Sequence, residues 1–226
     1  LALEQAGIDA KALLIQSGIE AEERHAAENL QNLIHAELHH RIKNMLATVG
    51  AIADQSLRTA TSMTHARSAI DGRLAALARA HDLLTRSSWE NATMEGTVRS
   101  AIEPFDQGGG RFIVSGEDIR IASSPVIALA MTLNELCTNT TKFGALSLPG
   151  GQVHLSWRMQ GERFQLDWFE SGGPPVAEPT RKGFGTRMIT SLGQQLKGKV
   201  ELVYGPDGFV YKLDVPVEAL VAGLAG

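Results

Sequence analysis

Four short segments carry side chains whose types and spacing could do chemistry. Residues 133–144 read Leu-Asn-Glu-Leu-Cys-Thr-Asn-Thr-Thr-Lys-Phe-Gly, with Glu135, Asn139 and Lys142 spaced by four and three. At about 100° per helical residue these three share one stripe, while Leu129, Leu133, Leu136 and Phe143 share another. A solvated face would look the same, but Asn is a poor mid-helix residue, and its amide oxygen is a hard ligand suited to Mg²⁺. Residues 166–175 run Leu-Asp-Trp-Phe-Glu-Ser-Gly-Gly-Pro-Pro. Strand alternation there puts Phe164, Leu166, Trp168 and Glu170 on one face. Glu170 either marks the rim of a sheet or points into a pocket to accept from a buried donor, and Gly172 and Gly173 behind it let a ligand approach the backbone.

The third segment, Gly183-Phe184-Gly185-Thr186, is flanked by Arg181, Lys182 and Arg187. A turn of this kind opening a helix presents orphan N–H groups at the positive end of the helix dipole, which suits a phosphate. The fourth, Glu37-Leu38-His39-His40-Arg41-Ile42-Lys43-Asn44, places His40 on the outward face with Asn44 a turn below and Glu37 about a turn above. His39 and His40 point about 100° apart on a helix and cannot chelate a metal as an i, i+4 pair can. An exposed imidazole on a rigid helix is, however, a good nucleophile near neutral pH.

The elements that must hold these groups fall into two halves of different composition. All 8 prolines lie at Pro104 or later and all 12 aromatics at Trp89 or later, leaving residues 1–88 to the helix formers. Leu38, Ile42, Met45, Val49 and Ile52 step by four and three, with Leu30 and Ile34 extending the seam backwards. After a break at 59–64, where Ser62 or Thr64 can cap a helix, Ile70, Leu74, Leu77, His81 and Leu84 repeat the stepping. The expectation is a helical hairpin at 31–90, preceded by a signalling helix at 1–30. Paired with a second copy, the hairpin makes a four-helix bundle; alternatively its seam packs on another domain. Trp89 is expected at the junction of the two halves, and His81 in the core rather than as a ligand.

Residues 91–220 read as a helix at 93–102, short strands at 111–114 and 119–121, and a long helix from Ser124-Pro125 to about 145. A strand hairpin at 153–159 and 163–170, a helix at 186–197 and a second hairpin at 199–204 and 209–215 follow. That order predicts an α+β two-layer sandwich, with helices on one face of a mostly antiparallel sheet. Residues 221–226 read as a tail.

The net charge of −4 excludes a dominant nucleic-acid footprint. The one cysteine, Cys137, excludes an internal disulfide and a cysteine-based zinc cluster. No apolar run approaches the ~20 residues of a membrane span. With no basic leader ahead of an apolar stretch, the expectation is a cytoplasmic piece of a longer protein.

In this order the four segments resemble the sensor histidine kinases, most closely the HWE type, over about residues 36–217. His-Arg-Ile-Lys-Asn at 40–44 is similar to that family's phosphoacceptor box. Residues 134–146 resemble the N box, ending in Lys-Phe-Gly-Ala-Leu-Ser at 142–147, and Trp168-Phe169-Glu170 resembles its Trp-x-Glu. Residues 183–186 resemble the glycine box, and residues 73–89 the second helix of the hairpin. Two positions differ: Asn134 stands where the family has a histidine, and Arg41 follows the acceptor where commoner kinases carry an acid.

The resemblance implies a dimerisation and phosphotransfer hairpin followed by an ATP-binding sandwich of the Bergerat (GHKL) type. It further implies that His40 accepts the γ-phosphoryl group of ATP, with Glu37 or Glu135 as candidate base and Asn44 beside the ring. Glu170 would accept from the adenine amino group and Asn139 would hold Mg²⁺. Lys142, Gly172, Gly183, Gly185, Thr186 and Arg187 would surround the rest of the nucleotide. The implied partners are an upstream sensor domain, a second copy of the chain and the receiver domain of a response regulator. A degenerate relative that passes phosphate without using ATP is the alternative, and nucleotide titration separates the two.

Overall fold

The computed structural model describes residues 2–86, 91–106, 108–179 and 184–221. The chain divides into two compact units, Leu1–Ala51 and Ile52–Gly226.

The first unit is the greater part of helix α1, Ala2–Thr59. Its seam residues Leu30, Ile34, Leu38 and Ile42 are all at least half exposed.

The second unit begins with the last turns of α1 and with α2, Met63–Arg86. Ser62 caps α2, its hydroxyl accepting from the His65 N–H at 3.1 Å. The buried stripe of α2 is Ala66, Arg73, Ala76, Leu77, Ala80 and Leu84. It lies a step away from the expected seam, whose Ile70, Leu74 and His81 are only half-buried. The alanines allow α2 close to its neighbours in the sandwich, helices α3 (Met94–Ile102) and α4 (Ser123–Lys142). Burial lowers the pKa of His81, against a smaller raising effect of Asp82. Trp89 lies outside the described residues.

Thr93, closing strand β1 (Asn91–Thr93), caps α3 by accepting from the Gly96 N–H. The two short strands expected next do form, β2 at Phe112–Gly116 and β3 at Arg120–Ala122, in different sheets. β3 pairs antiparallel with β1, and β2 joins the main sheet in parallel with β4 (Gln152–Gln160). The main sheet has the order β2-β4-β5-β7-β6, with β5 at Arg163–Ser171, β6 at Lys199–Gly205 and β7 at Gly208–Pro216. Its other pairings are antiparallel.

Alternate residues of β4, β5 and β7 are buried, so one face of the sheet is covered. That face contributes Val153, Leu155, Phe164, Leu166, Trp168 and Leu213 to a core shared with Leu129, Leu133 and Leu136 of α4. Ile189 and Leu192 complete it from α5, Phe184–Gln195. A short helix α6, Val217–Val221, closes the described chain. The architecture is the expected two-layer sandwich.

α4 starts earlier than Ser124-Pro125 implied. Ala122 is the N-cap, and Pro125 sits in the first turn, where a missing N–H leaves no helical bond unmade. The helix ends at Lys142, and this removes Phe143 from the apolar stripe: it is 67% exposed at the C-cap.

Candidate nucleotide site and phosphoacceptor helix

The core face of β5 delivers Glu170 where the sequence pattern placed it, two residues beyond Trp168. It is not a rim residue, being only 2% exposed. Its Oε2 accepts from the backbone N–H of Ala145 at 2.8 Å, and its Oε1 accepts from the Trp168 indole N–H at 3.1 Å. A carboxylate offers about four lone-pair directions, so two remain after these bonds. The Ala145 donor lies just after α4, in the Gly144-Ala145-Leu146-Ser147 segment. Gly144 must be small, because a Cβ there would collide with Glu170 Oε2. Arg111 braces the same segment by donating to the carbonyl oxygens of Leu146, Leu148 and Gly151.

Glu170 lines a cavity of about 760 Å³, within the ~300–1,000 Å³ range of small-molecule sites. Glu135, Asn139 and Lys142 of α4 and Gly185 and Thr186 of α5 line it as well. The start of α5 approaches α4 closely: a Cβ on Gly185 would stand 2.7 Å from Glu135 Oε2 and 3.6 Å from Asn139 Nδ2. Glycine is required for that approach. Asn139 is half-buried and Lys142 exposed, so the cavity runs from the buried carboxylate of Glu170 to a cationic mouth.

Two expected ligands stand apart from this lining. Gly172, at φ +69°, packs against the Gly150 carbonyl, and Arg187 is exposed on α5. Gly183 lies outside the described residues. Glu135 also departs from expectation. It is buried rather than solvated, and its two oxygens accept from Arg73 Nε at 2.7 Å and Nη2 at 3.0 Å. Arg73 Nη1 donates in turn to the Ser56 hydroxyl. An ion pair of this kind stabilises the charged carboxylate and so makes Glu135 a weaker base towards a nucleophile.

Reasoning from sequence missed Arg73 and Ser56, and with them Arg79, which donates to Asn134 Oδ1 at 3.3 Å. It also missed Tyr204 and Phe209 on the cavity wall, with ring centroids 5.0 Å apart. The available signal for Arg73 was a charged residue three and four positions before Ala76 and Leu77, on a stripe otherwise small or apolar. Cys137 contributes no thiol chemistry. Burial and the charge of Glu170 push its pKa far up, so it stays protonated.

On α1, His40 is exposed, with Asn44 Nδ2 3.4 Å from its Nδ1. Neighbouring His39 has its Nδ1 2.9 Å from the His35 carbonyl oxygen. The side chains of Glu37 and Arg41 lie outside the described residues.

Among solved structures, the blue-light activated histidine kinase of Erythrobacter litoralis superposes with a TM-score of 0.60 at 21% identity, over 80% of this chain and 58% of that one. Its histidine kinase domain gives 0.56 at 18% identity, over 69% and 78%. At these identities the likeness carries the fold: helices followed by an α/β two-layer sandwich. Residues 37–118 match the family model described as HWE histidine kinase. A blue-light-activated histidine kinase of Brucella anthropi is 40% identical over 222 residues, covering 93% of this chain and 45% of that protein. That of Brucella ovis is 35% identical over 201 residues, covering 86% and 41%. The chain belongs to the HWE histidine kinases, and it spans less than half the length of these relatives. Among the described residues, no helix is long and apolar enough to cross a membrane.

Proposed function

We propose that the chain is the ATP-dependent phosphotransfer part of a two-component sensor kinase. It takes the γ-phosphoryl group of ATP onto His40 and hands it to an aspartate on the receiver domain of a response regulator. The observation that carries this reading is the single cavity that Glu170, Asn139, Lys142, Gly185 and Thr186 share. One end offers a buried acceptor to a base. The other offers an amide, an ammonium and helix-terminal N–H groups to a triphosphate.

The Glu170 carboxylate, ionised, can only accept hydrogen bonds. Adenine carries an amino donor at its six position, guanine a carbonyl. Glu170 therefore favours ATP, because an acceptor facing an acceptor leaves both unsatisfied. Lys142 and the N–H groups at the start of α5 offset the phosphate charge. The Asn139 oxygen is the side-chain group suited to a magnesium ion, which keeps most of its shell from phosphates and water. When bound, that ion neutralises phosphate charge. A donor set this sparse fits such an ion, and no cluster of three or more His, Cys, Asp or Glu stands among the described residues.

At His40 a ring nitrogen lone pair attacks the γ-phosphorus; the N–P bond forms as the P–O bond to the leaving ADP breaks. Turned so that its oxygen faces the ring, the Asn44 amide would hold the proton on Nδ1 and leave the lone pair on Nε2. Positioning and charge neutralisation do most of the work in such a transfer. A second copy of the chain is the proposed cover for the exposed Leu30, Ile34, Leu38 and Ile42 face of α1.

The reading is tested by equilibrium titration with ATP and GTP. A hydrogen bond to a charged group contributes about 1.5–3 kcal/mol, so Glu170→Ala should weaken ATP binding roughly ten- to a hundredfold and narrow the gap to GTP. Equal affinity of the wild type for the two nucleotides would contradict the assignment.

A further inference from the structure

Trp168 is wholly buried, and its size alone would satisfy the core. Phe112 stands edge-on to its ring at 6.1 Å, and Leu155 and Tyr211 flank it across the sheet. A phenylalanine would meet the same neighbours. What a phenylalanine lacks is the N–H, which a buried indole must place on an acceptor. Here the acceptor is Glu170 Oε1, on the same strand and the same face. The opposite oxygen is fixed by the Ala145 N–H, which it can approach because Gly144 carries no Cβ to collide with it. Two donors, one on each oxygen, set the plane of the carboxylate and so aim its remaining lone pairs.

We propose that Trp168 is a positioning residue for base recognition: its indole N–H holds the Glu170 carboxylate in the orientation that receives the exocyclic amino group of adenine. The proposal rests on the reading of Glu170 given above. A chain that kept the carboxylate but lost the indole donor would retain the acceptor without its direction. Affinity for adenine nucleotides would then fall although no atom touching the base had changed.

Purine riboside triphosphate, which has only hydrogen at the six position, separates positioning from packing. Wild type should bind ATP several-fold tighter than this analogue. Trp168→Phe should lose roughly three- to tenfold in ATP affinity and keep its affinity for the analogue. In a Glu170→Ala background the same change should have no further effect on ATP. Equal losses for both nucleotides, or an unchanged ratio, would overturn the proposal and make Trp168 a packing residue. If wild type does not distinguish ATP from the analogue, it is the reading of Glu170 that fails. Should Trp168→Phe not fold, the isosteric Glu170→Gln supplies the second measurement. Losing the charged acceptor should move the Trp168 indole N–H resonance upfield, and a resonance that stays in place would equally overturn the proposal.

Discussion

Arg73 of α2 and Glu135 of α4, 62 residues apart in the chain, are joined by two hydrogen bonds, with their side chains only 10% and 5% exposed. The pair locks α2 to the helix that carries Asn139 and Lys142 into the cavity. A fork-to-fork geometry of this kind is among the stronger protein contacts, yet neither charge can be left behind without cost.

Arg73→Met should therefore destabilise the fold by about 3–5 kcal/mol, because Glu135 stays buried without its counter-ion. The double change Arg73→Met with Glu135→Met should recover most of that loss. Urea unfolding of the four proteins in the cycle checks both statements.

Asn139→Ala should remove the magnesium-dependent part of ATP binding. Wild type should bind ATP more tightly with magnesium than with a chelator present, whereas in the variant the two affinities should converge. Calorimetric titration under both conditions reads the difference.

His81 links stability to pH. Its folded pKa lies below the ordinary 6.5 because burial penalises the charged ring. Between the two values the unfolded chain binds a proton that the folded chain does not, so stability falls as pH drops. The contribution is fully present above about 6.5 and is lost as pH falls through the folded value. His81→Gln should flatten the slope of stability against pH below neutrality, measured by denaturant midpoints at a series of pH values.

The sheet was readable because alternation is a local property: Phe164, Leu166, Trp168 and Glu170 share a face whatever packs on it. Asn139, Lys142, Glu170, Gly185 and Thr186, which line one cavity, were legible as candidates because each sits in a short motif. Arg73 was not, because its partner lies 62 residues away and a basic residue on a helix ordinarily reads as solvated. Phe143 was misplaced because helical projection assumes the helix continues, and this one ends a residue earlier. The pairing of β2 with β4 rather than β3 depends on the whole topology, which three- and five-residue strands do not encode.

The most direct measurement is incubation of the protein with γ-labelled Mg-ATP, followed by treatment of the labelled chain with acid and with alkali. The account predicts label that survives alkali and is lost in acid, as a phosphohistidine is, and that is absent from His40→Gln while this variant still binds ATP. Label that persists in His40→Gln, that sits on His39, or that resists acid would contradict it.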